Sequence, residues 1–193
     1  MTASEFWRWM SEASAELLEA DGQHVADEIE QRLSEIDKRL GVEISGPAEP
    51  REMIITAWSD PSAFAAVREL VAAAPALPGW RIIALKPPRG FEFGIDLDGL
   101  KVDANELRFE PLGAPEDPKL LGIRIYVPSA GAEDDDERLG RALPLILETG
   151  IGEEAAAQID HSEYVAGPGD ERALPIGELL RYVQWHLKKH GGG

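Results

Sequence analysis

The 193-residue chain contains no cysteine. Disulfides, thiolate nucleophiles and cysteine-built zinc sites are therefore excluded. Positive charge is scarce as well: 19 Lys and Arg face 36 Asp and Glu, a net charge of −17. Non-specific nucleic-acid affinity comes from Lys and Arg displacing counterions from phosphates, so no nucleic-acid partner is expected. No stretch approaches the roughly 18 consecutive apolar residues of a membrane span. The opening MTASEFWRWMSEASAELLEADG has neither the basic segment nor the apolar core of a secretory leader. These absences lead to the expectation of a cytoplasmic protein with no membrane partner. Phosphate-cradling glycines are missing too, since Gly90 and Gly94 lack a GxGxxG or GxxxxGK context. No cofactor is expected.

What is present is a chain 44% apolar and able to bury a core. The clearest stretch runs from Met53 to Lys86. Met53 to Trp58 is a short apolar run of strand length, and Asp60-Pro61 is a helix start, with Asp as cap and Pro where no N–H is needed. Phe64, Val67, Leu70, Val71 and Ala74 follow at helical spacing, and Arg81 to Leu85 is a second strand that Pro87-Pro88 ends. Two strands joined through a helix are most simply parallel neighbours. Residues 123–165 read as a second strand–helix–strand half, hinting at an internal pseudo-repeat. Between the halves, Phe91, Phe93, Ile95 and Leu97 alternate with polar residues, and Asp98-Gly99 signals a hairpin turn.

At the N-terminus, Thr2 and Glu5 have capping-box spacing before Phe6, Trp9, Met10, Ala13 and Leu17. A second helix carries Val25, Ile29, Leu33, Ile36 and Leu40, with Gly41 placed as its C-terminal cap. The fold class expected is α+β: a single mixed β-sheet with helices mainly on one face, built of ferredoxin-like strand–helix–strand units and preceded by two N-terminal helices. The organisation expected is an acidic helical segment at 1–41, an α+β domain at 42–190 and a disordered tail at 191–193.

Several residue groups invite a chemical reading. Lys86 and Arg89, in KPPRG, form a small cationic spot at a strand's carboxyl end, where open sheets place ligands, and are candidates for an anion site. His161 and Glu163 share a strand face, but neither a nucleophile nor a metal set accompanies them. His186 and His190 stand i, i+4 apart, yet Leu187 occupies the place of the metalloprotease glutamate, so no metal is expected. The acidic run 133–137 lacks EF-hand spacing and reads as a helix start. No catalytic residue is assigned. Trp7 falls off the stripe of Phe6 and Trp9, and is a candidate for a buried inter-element contact or a partner hot spot.

FW-x-W at the start, REMIITAWSD, AAPALPGW followed by RIIALKPPRG, and LILETGIGEE together resemble a family of uncharacterised bacterial proteins over residues 3–187. Ile151-Gly152-Glu153 stands where that family has LGE. The resemblance implies a single domain and carries no activity, cofactor or catalytic residue.

Residues 1–50 hold 12 acids against 4 bases, a net of −8, while residues 51–100 net only −1. The leading expectation is therefore a non-enzymatic regulatory or interaction protein, of immunity or inhibitor type. Its acidic helices would meet a basic partner through Glu28, Glu30 and Glu35. The alternatives are a small-ligand protein or enzyme with an anion site near Lys86–Arg89, and a homodimer formed through the N-terminal helices.

Overall fold

The computed structural model describes residues 1–46, 49–97, 99–113, 116–129 and 135–190. Pro47-Ala48 of an expected turn, Asp98 of the hairpin turn, residues 133–134 of the acidic run and the tail 191–193 lie outside them. Internal contacts divide the chain into two compact units, Met1–Lys86 and Pro87–Gly193. The compositional boundary at 41–42 falls inside the first unit.

The first unit opens with α1 (Ala3–Glu19), closed at its start by the capping box. Thr2 N–H donates to Glu5 Oε2 at 2.8 Å, and Glu5 N–H donates to Thr2 Oγ1 at 3.3 Å. Asp21 caps α2 (Gly22–Ser34), its Oδ1 accepting the Gln23 N–H at 2.9 Å. Phe6, Met10, Val25, Ile29 and Leu33 are fully buried, so the apolar stripes of both helices are internal. The second helix stops at Ser34 instead of running to Leu40. Asp37 accepts both the backbone N–H and the guanidinium of Arg39, a local bond that competes with helical continuation. Gly41, expected as a cap, instead begins a strand.

That strand is β1 (Gly41–Ile44), followed by β2 (Arg51–Thr56), a 3-10 turn at Pro61–Ala63 capped by Asp60, α3 (Phe64–Ala72) and β3 (Trp80–Ala84). The sheet order is β1-β2-β3, with β1 antiparallel and β3 parallel to β2, as the strand–helix–strand reading predicts. Met53 and Ile55 on one face of β2, and Ile54 on the other, are all buried. A doubly buried strand explains why this run shows no polar alternation.

Arg51 ties the helices to the sheet. Only 4% exposed, it sends Nη1 to the carbonyls of Leu17 (2.8 Å), Ala20 (3.0 Å) and Leu18 (3.3 Å). The last turn of α1 has no basic residue of its own, and its terminal carbonyls have no partner within the helix. A guanidinium from β2 supplies both the donors and the positive charge that a helix C-terminus favours.

The second unit contains a hairpin, β4 (Gly94–Leu97) with β5 (Leu100–Asp103). It continues with β6 (Arg108–Leu112), β7 (Gly122–Val127), α4 (Asp135–Ile151), α5 (Glu153–Ala156), β8 (His161–Ala166), β9 (Leu174–Pro175) and α6 (Leu179–His190). Its four-stranded sheet has the order β8-β7-β6-β9, with β7 and β8 parallel. Ile123, Ile125 and Val127 alternate inward to meet Leu139, Leu143 and Ile146 of α4 and Leu179 and Val183 of α6.

The chain is therefore α+β, but the expectation of a single mixed sheet is corrected: the described strands form three separate sheets. Pro87 and Pro88 have no N–H with which to extend a ladder beyond β3, and β4–β5 satisfies its inner edges within its own hairpin. The same order, an antiparallel pair followed by a helix and a strand parallel to the second, occurs in β1-β2-α3-β3 and in β6-β7-α4-β8. Among the described residues no helix is long and apolar enough to cross a membrane.

Candidate functional site

At the carboxyl ends of β2 and β3, three non-glycine residues adopt the left-handed conformation: Trp58 (φ 52°), Ser59 (φ 61°) and Leu85 (φ 61°). Side-chain-bearing residues pay for this geometry with steric strain, which collects at ligand sites. The turn reverses the chain straight after the apolar strand. Trp58 N–H is held by Thr56 Oγ1 at 3.0 Å, and Leu85 N–H by the Ile55 carbonyl at 2.8 Å.

This turn carries the Trp58 indole out over the start of β1, where it is 46% exposed. Gly41 makes room for it: a Cβ there would lie 2.2 Å from the indole Nε1. The glycine is thus required by a close approach across β1 and β2. Lys86 lies against the same ring, its Nζ 4.4 Å from the ring centroid and 2.6 Å from Glu43 Oε1. The lysine side chain is 5% exposed and that of Glu43 42%. A buried ammonium is costly without a counter-charge, so Glu43 and the aromatic face together account for its placement.

Trp58 and Glu43 are also part of the wall of a cavity of about 660 Å³. Asp21, Gln23 and Glu30 contribute from the start and outer face of α2, Ser45 from the end of β1, and Arg51 from β2. Arg51 also lines the cavity, with Nη1 bonded to the end of α1 and Nε 3.4 Å from the Ser45 carbonyl. The wall thus offers an indole and three carboxylates, of which Asp21 caps α2 and Glu43 is paired with Lys86. Among the described residues no three His, Asp or Glu side chains converge tightly enough to hold a metal ion.

Two groups singled out in the sequence meet here. Glu30 of the acidic helix lines the cavity together with Glu43 and Trp58, and Lys86 of the strand end contacts both of those residues. Glu28 is half-buried and paired with Arg32 at 3.2 Å, and that guanidinium stacks 3.7 Å from the Trp9 ring centroid. Glu35 is exposed and borders a shallower hollow of about 400 Å³ with Glu5, Arg8 and Glu12. Trp7 is an inter-element contact: 4% exposed, its indole N–H donates to the Leu70 carbonyl at 2.8 Å. Arg89 belongs to the second unit and is exposed, and its backbone N–H donates to the Thr149 carbonyl at 2.9 Å.

The histidine pairs have structural partners. Glu163 accepts from Arg124 Nε at 2.5 Å, with His161 Nε2 3.9 Å from its other oxygen. Arg124 also reaches Glu110, which accepts the Tyr126 hydroxyl at 2.8 Å, so Glu163 sits in a charge network across β6, β7 and β8. His186 Nε2 lies 3.1 Å from the Lys119 carbonyl, a contact in which the nitrogen is the donor and the carbonyl accepts. Desolvation, together with His186 and Lys189 nearby, holds His190 below its ordinary titration range.

Trp58, Glu43 and Arg51 were not singled out in the sequence, and Gly41 was read only as a helix cap. Only Trp58 left a signal, an aromatic closing the strand immediately before the Asp60-Pro61 helix start. Compared with family models, with curated proteins and with solved structures, the chain matches none.

Proposed function

We propose that the protein is a non-enzymatic, cytoplasmic interaction module that recognises a basic partner protein through the acidic helical face of its first unit. A Lys or Arg side chain of that partner enters the cavity between Trp58, Glu30 and Glu43. The observation that carries this reading is the joining of an exposed indole with three carboxylates in one concave site between α2 and β1. Glu12, Glu16, Glu19, Asp27 and Glu35 are exposed on α1, on α2 and just after it, while the apolar stripes of these helices are buried in their own unit. That burial favours a charged docking face over a homodimer built on those stripes. The anchors at Trp7 and Arg51 hold the face rigid, which lowers the entropic cost of docking. The ββαβ frame beneath it we read as a ferredoxin-like unit.

The test is capture from host lysate at low and raised salt by the wild-type protein and by a Glu28→Lys, Glu30→Lys, Glu35→Lys variant. Basic proteins retained by the wild type at low salt, released at high salt and missed by the variant support the reading. Equal capture by both proteins contradicts it.

A second reading has its own observation, the three strained residues at the carboxyl ends of parallel strands. Here a small anion competes with Glu43 for Lys86. Concentration-dependent thermal stabilisation by inorganic phosphate, lost in Lys86→Met, would favour it.

A further inference from the structure

The second unit carries a surface of opposite character. Among the described residues, three of the large apolar side chains left exposed, Leu120 (45%), Leu174 (41%) and Trp185 (49%), lie on the loop before β7, on β9 and on α6. Trp185 and Tyr182 form a ridge between two grooves. One, of about 470 Å³, is bordered by Leu174, Glu178 and Arg181. The other, of about 410 Å³, is bordered by Pro111, Leu120, His186 and His190. Isolated exposed apolar residues are ordinary, but a ridge flanked by two concavities is the shape of a docking surface.

The ridge is built to hold its form. Tyr182 packs against the buried Phe109 ring at 5.7 Å and against Trp185 at 5.5 Å. The His186–Lys119 bond fixes the turn of helix behind the second groove. Side chains ordered before binding lose little entropy on docking, and tryptophan and tyrosine dominate binding energy where they line pockets.

Charge identifies the occupant. In a chain of net −17, α6 from Leu179 to His190 has Arg181, Lys188 and Lys189 and no acid. Lys189 Nζ lies 4.6 Å from the Trp185 ring centroid. Among the described residues Glu178 is the one carboxylate lining either groove, and it is already engaged by Arg181 at 2.8 Å. A basic segment meets no open carboxylate here, and an anionic lipid surface meets the repulsion of the remaining acids. We propose that the grooves beside Trp185 dock a short acidic-apolar segment of a partner protein. Its aliphatic or aromatic side chains fill the grooves while its carboxylates meet Lys189 and compete with Glu178 for Arg181. This surface does not depend on the acidic face of the first unit.

The experiment is selection from a display library of short peptides randomised over Asp, Glu, Leu and Phe, beside a library with Lys replacing the acids. Enrichment from the acidic library alone, with affinity reduced about tenfold or more by Trp185→Ala and by Lys189→Glu, is the expected result. Both positions are exposed, and unchanged melting curves confirm that the variants fold; Leu174→Ser is the substitute if one does not. No enrichment, enrichment from the lysine library, or binding indifferent to all three variants overturns the proposal. Two further results overturn it in favour of another occupant. These are Trp185-dependent self-association in sedimentation equilibrium, and Trp185-dependent binding to phosphatidylglycerol vesicles without peptide enrichment.

Discussion

Replacing Arg51 by methionine probes the join between helices and sheet. Methionine keeps much of the apolar stem and removes every donor. The short bonds to Leu17 (2.8 Å) and Ala20 (3.0 Å) are charge-assisted, worth about 1.5–3 kcal/mol each. The longer contacts to Leu18 and to the Ser45 carbonyl add little. Water can reach the half-buried Ala20 end but not the buried Leu17 end, so the expected loss is about 3–4 kcal/mol. Against a typical domain stability of about 5–15 kcal/mol this is a large fraction. Urea unfolding followed by tryptophan emission suits the question, since Trp7, Trp9, Trp58 and Trp80 all belong to the first unit. With a slope of about 2 kcal/mol per molar, the midpoint should fall by about 1.5–2 M. Arg51→Lys, which keeps a point charge but not the fork, should lose about half as much. A loss under about 1 kcal/mol for the methionine variant would refute the view that this guanidinium closes the end of α1.

Gly41→Ala should expel the Trp58 indole from its seat. The ring is half-exposed and can swing outward, so stability should fall by only about 1–2 kcal/mol while Trp58 emission shifts red and affinity for a basic partner drops about tenfold. An unchanged spectrum would mean that the indole does not depend on this glycine. Acid should weaken the first unit in a defined window. The Arg39 guanidinium and backbone N–H lower the Asp37 carboxyl from 3.8 to about 2, and the bonds from Thr2 and Ser62 depress Glu5 and Asp60. A carboxyl depressed in the folded state stabilises fully above its unfolded value. Stability should therefore hold above about pH 4 and decline as pH falls toward 2, and Asp37→Asn should flatten that decline in chemical unfolding.

Much of the first unit was legible because its signals are local. The Thr2/Glu5 box, the Asp60-Pro61 start and two apolar runs either side of a helix each depend on neighbours in sequence. The run to Leu40 misled because stripe periodicity does not report the Asp37–Arg39 turn that halts the helix. The single-sheet expectation failed for a related reason: strands announce themselves by alternation, but which edges pair is decided by prolines and hairpins. The site was harder to see. Glu43, Trp58 and Lys86 come from three segments, and only the β1-β2-β3 order brings them together. Gly41 had a ready local role as a cap, which concealed its part in seating an indole 17 positions later.

The central claim is that the cavity bounded by Trp58, Glu30 and Glu43 receives a cationic side chain. Titrating isotope-labelled protein with a short arginine-rich peptide, at low salt, tests it most directly by amide and indole chemical shifts. The account predicts saturable shifts centred on the Trp58 indole N–H and the amides of Glu30 and Glu43, lost in Gly41→Ala. Shifts spread evenly over the acidic surface, or absent from these three residues, would contradict it.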